Sequence, residues 1–340
     1  MDDLATFSEV PILSRLASIV GLGLSFTLLT GVAGPEGRAW ERPARSSLPP
    51  ITAVMTTDCG AEMDDQWALA HLLLSPEVDL RAVITTHASY PVGFSSLISA
   101  QKAREVVRHV APVRLESLPV IAGSNEPLAD IRTPRDDAGV DLLLRLSRGF
   151  SASRRLMVFA TGAATDVASA ILKDPSIASR ITIVAMGFSD WPRGGDVFNV
   201  KNDPLAWQVI LASAVPLVIG SSAVTKQSLR LSRTEAQALM RTHGTIGEYL
   251  FAQFDDWLTR EPQVVAQVVG PETWVVWDEI VAAYALGLAR GNSVPRPQLL
   301  ADLSFAHAPT ASRITWLTQV DTKQVWEDFT RKIDRATRGE

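Results

Sequence analysis

Ile51-Thr52-Ala53-Val54-Met55-Thr56-Thr57 runs without a break into Asp58-Cys59-Gly60-Ala61-Glu62-Met63-Asp64-Asp65, and then into an apolar pattern that reaches Leu74. The first segment is β-rich and predicts a buried strand, while the spacing after Asp64 predicts a helix over 64–74. The same alternation recurs downstream. Strands are expected at Leu80–Thr86, Leu118–Ala122, Leu156–Ala160, Ile181–Met186 and Pro216–Gly220, with helices at Ser96–Val110, Asp137–Ser147, Thr165–Leu172 and Pro204–Ala212. Strands apolar on both faces and separated by helices demand a parallel sheet covered on both sides, because right-handed crossovers place helices over each face. The expected fold is therefore α/β, a doubly wound and mostly parallel sheet. Past Ser221 helices dominate, at Arg233–Arg241, Ile246–Leu258 and Asp278–Arg290, before a strand at Ile314–Val320 and a charged terminal helix. Ligands of such sheets sit beyond the carboxyl ends of the strands.

The composition supports a folded chain. Its 340 residues are 46% hydrophobic and 20% charged, enough for one large core or two modest ones. A net charge of −5 without a long Lys/Arg run argues against nucleic acid as a partner. Cys59 is the single cysteine, so no internal disulfide or cysteine zinc cluster can form, and any metal must sit on oxygen or histidine. At the amino terminus, Arg15 precedes an apolar run from Leu16 to Ala33 that ends in the small residues Gly31-Val32-Ala33. Residues 1–33 read as a signal peptide, or, if uncleaved, as a membrane anchor through residues 16–33. Either reading places the remainder outside the cytosol, periplasmic, secreted or anchored, although Asp2, Asp3 and Glu9 make the leader more acidic than export signals usually are. The Pro/Arg-rich stretch 34–50 reads as a linker, 51–330 as the folded domain and 331–340 as a charged tail.

The turn after the first strand carries Asp58, Glu62, Asp64 and Asp65 within eight positions. Carboxylates packed this closely repel one another unless a cation binds, and calcium gathers many oxygen ligands of this kind. Helix capping would explain Asp64 alone, but leaves the Gly60 turn, Asp58 and Glu62 without a purpose.

This segment resembles the acidic fingerprint of the inosine/uridine-preferring nucleoside hydrolases in its longer form, Asp-x-Gly-x-(Asp/Glu)-x-Asp-Asp before an apolar helix. Further landmarks follow in the family's order. Val83-Ile84-Thr85-Thr86 is similar to its second strand, Pro119-Val120-Ile121-Ala122-Gly123 to its third, and Ala160-Thr161-Gly162-Ala163-Ala164-Thr165-Asp166 to its glycine-rich turn. Ile183-Val184-Ala185-Met186-Gly187, Phe198-Asn199-Val200-Lys201-Asn202-Asp203-Pro204 and Trp277-Asp278-Glu279 resemble the next strand, the sugar-binding loop and the carboxy-terminal metal ligand. The resemblance covers roughly 51–330 and implies a Rossmann-like nucleoside hydrolase fold. It implies a Ca2+ cofactor held by Asp58, Asp65, the Thr161 carbonyl and Asp278, with Glu62 joining or replacing Asp58. It also implies Asp64 and Asn199 on the sugar hydroxyls, a homo-oligomer, and hydrolysis of a nucleoside or related riboside. Breaking a ribosyl C–N bond builds positive charge on the sugar, which nearby carboxylates stabilise. Calcium acidifies a bound water only moderately, so a base is still required, and Asp58 is the candidate.

The sequence departs from the family at three points. Trp277 stands where many members carry a histidine that protonates the leaving base, and an indole can stack on a base but delivers no proton. Val197 occupies the position of an expected acid, with Asp196 one step away, and an expected asparagine falls within His87-Ala88-Ser89-Tyr90. His87 is the substrate-binding candidate there. His71 reads as a satisfied core or interface histidine, His109 and His243 as solvated, His307 as a loop residue, and Asp255-Asp256 as a solvated helix face. Of the nine tryptophans, Trp191 and Trp277 are placed near a pocket. Two alternatives stand beside the hydrolase. A haloacid-dehalogenase-type phosphotransferase needs a second Asp at position 60, which is Gly60. An exported calcium-dependent sugar- or nucleoside-binding protein would keep the cage and lose the chemistry.

Overall fold

A computed structural model describes residues 49–89, 93–195, 197–307 and 311–340. The export or anchor segment at 1–33, the linker up to residue 48, Tyr90 and Asp196 lie outside the described residues. Among the described residues no helix is long and apolar enough to cross a membrane.

The elements follow in chain order: β1 (Ile51–Thr57), α1 (Asp64–Leu74), β2 (Val78–Thr85), α2 (Ser96–Val110), β3 (Val120–Ala122), α3 (Ala138–Ser147), β4 (Leu156–Thr161), α4 (Thr165–Lys173) and β5 (Ile181–Met186). Then come α5 (Phe198–Asn202), α6 (Pro204–Ala212), β6 (Leu217–Gly220), α7 (Ser222–Ser228), β7 (Arg230–Ser232), α8 (Arg233–Met240), α9 (Gly244–Arg260), α10 (Pro262–Val268) and β8 (Thr273–Val275). The chain closes with α11 (Glu279–Ala285), β9 (Ala289–Pro295), β10 (Gln298–Leu299), β11 (Phe305–Ala306), β12 (Arg313–Val320) and α12 (Thr322–Thr337).

Eight strands form one sheet in the order β3-β2-β1-β4-β5-β6-β12-β9, parallel except for the β12–β9 pair. This is the expected doubly wound α/β fold. In β1, Ala53 and Met55 join the core shared with α1, α2, α9, α11 and α12, whereas Val54 joins the core under α3, α4 and α6. All three are fully buried, which is why the strand is apolar on both faces. Trp67 carries α1 onto α9, its indole Nε1 donating to the Leu250 carbonyl at 3.0 Å.

The winding reverses at β1. The chain runs outward through β2 and β3, then returns to β4 on the other side of β1 and proceeds to β5 and β6, opening a crevice at the carboxyl ends of β1 and β4. Thr57 is in register with Thr85 of β2 and Thr161 of β4, so Asp58, Thr86 and Gly162 follow along one edge. A Cβ on Gly162 would lie 2.7 Å from the Asp58 backbone nitrogen and 2.8 Å from Thr86 Cγ2. Only glycine permits that approach.

Beyond β6 the structure differs from the sequence reading: strands β7, β8, β10 and β11 and helix α10 were not expected. The helix expected over Asp278–Arg290 stops at Ala285, because Gly287 adopts φ +73°, and Ala289–Pro295 becomes the antiparallel edge strand β9. Its central residues are polar and exposed, so the sequence carries no alternation to signal a strand; pairing with β12 supplies the structure. The division expected between 330 and 331 falls inside α12, whose Phe329 and Ile333 are both fully buried.

Candidate functional site

The acidic turn places its carboxylates at the mouth of the β1–β4 crevice. Met63 occupies the N-cap of α1 and makes no side-chain cap, while Asp64 and Asp65 spend their oxygens on the crevice. Asp65 Oδ1 accepts from the Thr57 hydroxyl and, at 2.9 Å, from the Thr161 hydroxyl. Asp64 Oδ2 accepts from the Asp278 backbone N–H at 3.3 Å, which fastens the start of α11 to the start of α1. Ligand oxygens of Asp64, Asp65 and Asp278 lie within 4.8 Å of one another, and all three residues are buried. Among the described residues Asp278 Oδ1 is buried without a hydrogen-bond partner.

This packing is electrostatically unfavourable on its own. Burial, and then the neighbouring carboxylates, push Asp58, Glu62 and Asp278 well above the usual carboxylate range. Burial and Asp65 raise Asp64 to about 8. Burial raises Asp65 to about 6 against the hydrogen bonds from Thr57 and Thr161, which act in the opposite direction. The cluster therefore retains protons that ordinary carboxylates shed at neutral pH. A hard divalent cation fits this donor set better than protons do: every ligand atom is an oxygen, and one buried carboxylate oxygen lacks any other partner.

A cavity of about 390 Å³ opens from the cluster. Asp58, Glu62, Asp64, Asp65, Thr161, Asn199, Trp277 and Asp278, all singled out from sequence, stand in its wall. Their grouping is new: the tight trio is Asp64, Asp65 and Asp278, with Asp58 and Glu62 beside it, although the resemblance had Asp64 on the sugar rather than among the ligands. Asn199 donates through Nδ2 to the Met186 carbonyl at 3.2 Å, which orients its amide at the end of β5.

His87 is not brought to the cavity wall. Its Nε2 meets Thr165 Oγ1 at 3.1 Å, its Nδ1 meets Ser89 Oγ at 2.8 Å, and Thr165 donates onward to Asp203 Oδ2 at 2.7 Å. Burial lowers its pKa, so it acts as a neutral member of a buried polar chain. Trp191 packs against Phe305 and Trp316 and is likewise absent from the wall. What sequence reasoning missed is the wall supplied by α9, α10 and β8: Trp257, Glu261, Val264, Gln267 and Trp274. Trp274 lies 5.2 Å from Trp257 and 6.2 Å from Trp277 between ring centroids, forming one indole surface. The adjacent Asp255 and Asp256 are solvent-facing ion partners of Arg233 and Arg260, as expected. Trp257, next to them on the buried side of the same helix, was the available signal.

Behind the cluster, His71 is a core histidine with carboxylates on both nitrogens. Nδ1 meets Glu279 Oε1 at 2.5 Å and Nε2 meets Asp328 Oδ2 at 3.1 Å, and Asp328 pairs with Lys332 at 2.5 Å. Burial opposes the imidazolium, but Glu279 and Asp328 outweigh it and hold the pKa above its ordinary value. The chain of charges ties α1, α11 and α12 together beneath Asp278.

The family model described as inosine-uridine preferring nucleoside hydrolase matches residues 53–331. Among curated proteins, the chain is similar to the pyrimidine-specific ribonucleoside hydrolase RihA of Escherichia coli and of Shigella boydii, 26% identical over 206 residues, covering 52% of this chain and 63% of each relative. The match thus spans less than two thirds of those relatives' length. Among solved structures it is similar to a plant nucleoside hydrolase, with TM-score 0.68 and 18% identity over 84% of this chain and 99% of that one. It is also similar to a purine-preferring ribonucleoside hydrolase from Gardnerella vaginalis, with TM-score 0.64 and 17% identity over 85% and 100%. At such identities the structural likeness establishes the fold.

Proposed function

The chain belongs to the inosine-uridine preferring nucleoside hydrolase family, and from that premise we propose that it hydrolyses the N-glycosidic bond of a nucleoside or related riboside in a calcium-dependent reaction. The observation that carries the reading is the buried trio Asp64, Asp65 and Asp278, with an unpartnered Asp278 oxygen at the carboxyl edge of the sheet. Asp65 and Asp278 would hold calcium, assisted by Asp58, Glu62 or Asp64 and by the Thr161 carbonyl. When bound, calcium supplies the positive charge that ionises these carboxylates and orients a water and the sugar hydroxyls.

The remaining work falls to the chain itself. Asp58, in the wall beside the trio, accepts the proton of the attacking water. The surrounding carboxylates stabilise the positive charge that grows on the sugar as the C–N bond lengthens. Asn199, its amide fixed on Met186, contacts sugar hydroxyls, and Trp277 lies against the leaving base. A second reading, a nucleoside- or sugar-binding protein of the same fold that has lost catalysis, is favoured by one observation: among the described residues no histidine lines the cavity. Export through residues 1–33 and assembly as a homo-oligomer belong to the same proposal, supported by the apolar run at Leu16–Ala33 and by the family resemblance respectively.

The test is release of reducing sugar from purine, pyrimidine and nitrophenyl ribosides by the purified protein, with and without a calcium chelator. Chelator-sensitive release is expected. Calcium binding without release from any riboside would favour the binding protein.

A further inference from the structure

The departing base needs a proton that Trp277 cannot give. If the trio holds the sugar end of a riboside, the base lies against the rest of the cavity wall, to which α9, α10, β8 and the turn after β8 contribute. That wall is largely indole and aliphatic, with Trp257, Trp274, Trp277 and Val264. Its protic side chains are few. Lys226, from α7 beside it, donates to the Val268 carbonyl at 2.8 Å, which commits its ammonium to the backbone. Gln267 has no proton to give. Glu261 remains. It occupies the N-cap of α10 but makes no side-chain capping bond, and among the described residues its ion contact is Arg260 at 4.0 Å. Its side chain is 14% exposed, so a mostly buried carboxyl stands in the cavity wall without a structural commitment.

We propose that Glu261 is the general acid of the reaction, donating its carboxyl proton to a ring nitrogen of the leaving base. As the C1′–N bond breaks, its electron pair passes to the base nitrogen, which takes the Glu261 proton. Water adds to C1′ and loses a proton to Asp58. Asp58 then releases its proton to solvent and Glu261 takes one back, so the sum is one water consumed per bond. Burial favours the protonated carboxyl, with the Arg260 guanidinium opposing it more weakly. The inference rests on the hydrolase reading and assigns the acid that reading lacks.

The experiment compares Glu261→Gln with the parent protein on natural nucleosides and on a nitrophenyl riboside, whose leaving group departs as a stable anion without protonation. The expected result is a fall in kcat of about 100-fold or more on nucleosides, a change within about two-fold on the nitrophenyl riboside, and loss of the alkaline fall in kcat on nucleosides. Equal losses on both substrates would mark a structural role and overturn the proposal, as would unchanged nucleoside turnover. Should Glu261→Gln fail to fold, the parent's two pH profiles decide: an alkaline fall on nucleosides absent from the nitrophenyl riboside supports the acid, and matching profiles overturn it. A parent protein that cleaves neither substrate removes the hydrolase reading and this inference together. Cleavage of both by the parent with an indifferent variant removes the inference alone.

Discussion

Replacing Asp278 by Asn should make the metal-free protein more stable and the calcium-loaded protein relatively less so. Asp278 is 2% exposed, and its ligand oxygen lies within 4.8 Å of those of Asp64 and Asp65. Two unit charges at that separation repel by roughly 3.5 kcal/mol at an effective dielectric of about 20. Protons already retained by the cluster relieve part of this, so the gain from removing one charge is about 1–3 kcal/mol in chelator near pH 8. At about 2–4 °C per kcal/mol, the unfolding midpoint should rise by roughly 2–12 °C. With calcium at about a hundred times its dissociation constant, the parent gains roughly 2.7 kcal/mol from binding, while the variant, having lost a ligand charge, gains little. The assay is thermal unfolding of both proteins at pH 8 with chelator and with excess calcium. A variant less stable than the parent in chelator, or one that keeps the parent's full calcium increment, would refute the reasoning that these carboxylates are assembled for a cation.

Three further outcomes follow from the same geometry. Asp64 and Asp65 titrate at about 8 and 6 in the folded metal-free protein, above an unfolded value of about 3.9. Their stabilising contribution is therefore complete below about pH 4 and lost as pH rises through about 8; the chelated protein should melt higher at pH 5.5 than at 8.5, and the opposite order contradicts the assignment. Gly162→Ala would press a methyl against the Asp58 nitrogen and Thr86, costing about 1–3 kcal/mol and weakening calcium binding by calorimetry; unchanged affinity would show that the β4 turn does not set the site. His71→Leu leaves Glu279 and Asp328 facing a hydrocarbon and should cost about 3–5 kcal/mol; a denaturant midpoint close to the parent's would mean those carboxyls had been neutral.

The fold was legible where local pattern and tertiary role coincide. β1 and β5 match their expected bounds, as do α1, α2 and α6, because a fully buried strand must be apolar throughout, α2 shows an apolar stripe, and α1 and α6 are short apolar runs packed into the core. β9 was illegible for the converse reason. Its Arg290–Ser293 stretch faces solvent at the sheet edge, so neither period nor hydrophobicity marks it, and its structure comes from backbone pairing to β12.

The site divides along the same line. Its acidic end is written in consecutive residues: β1 ends at Thr57, the turn supplies Asp58 and Glu62, and α1 opens on Asp64 and Asp65, so one segment announces most of the carboxylates. Asp278 was legible only through resemblance, since nothing local shows that α11 begins beside α1; the Asp278 N–H to Asp64 bond is what brings them together. The indole-lined end has no such segment. Trp257, Glu261 and Trp274 come from three elements whose convergence depends on how α9 and α10 pack across the crevice, and each alone reads as core or surface. The carboxylates thus sit where the sheet topology forces them. The proposed base contacts come from α9, α10, β8 and the turn after β8, where packing decides position.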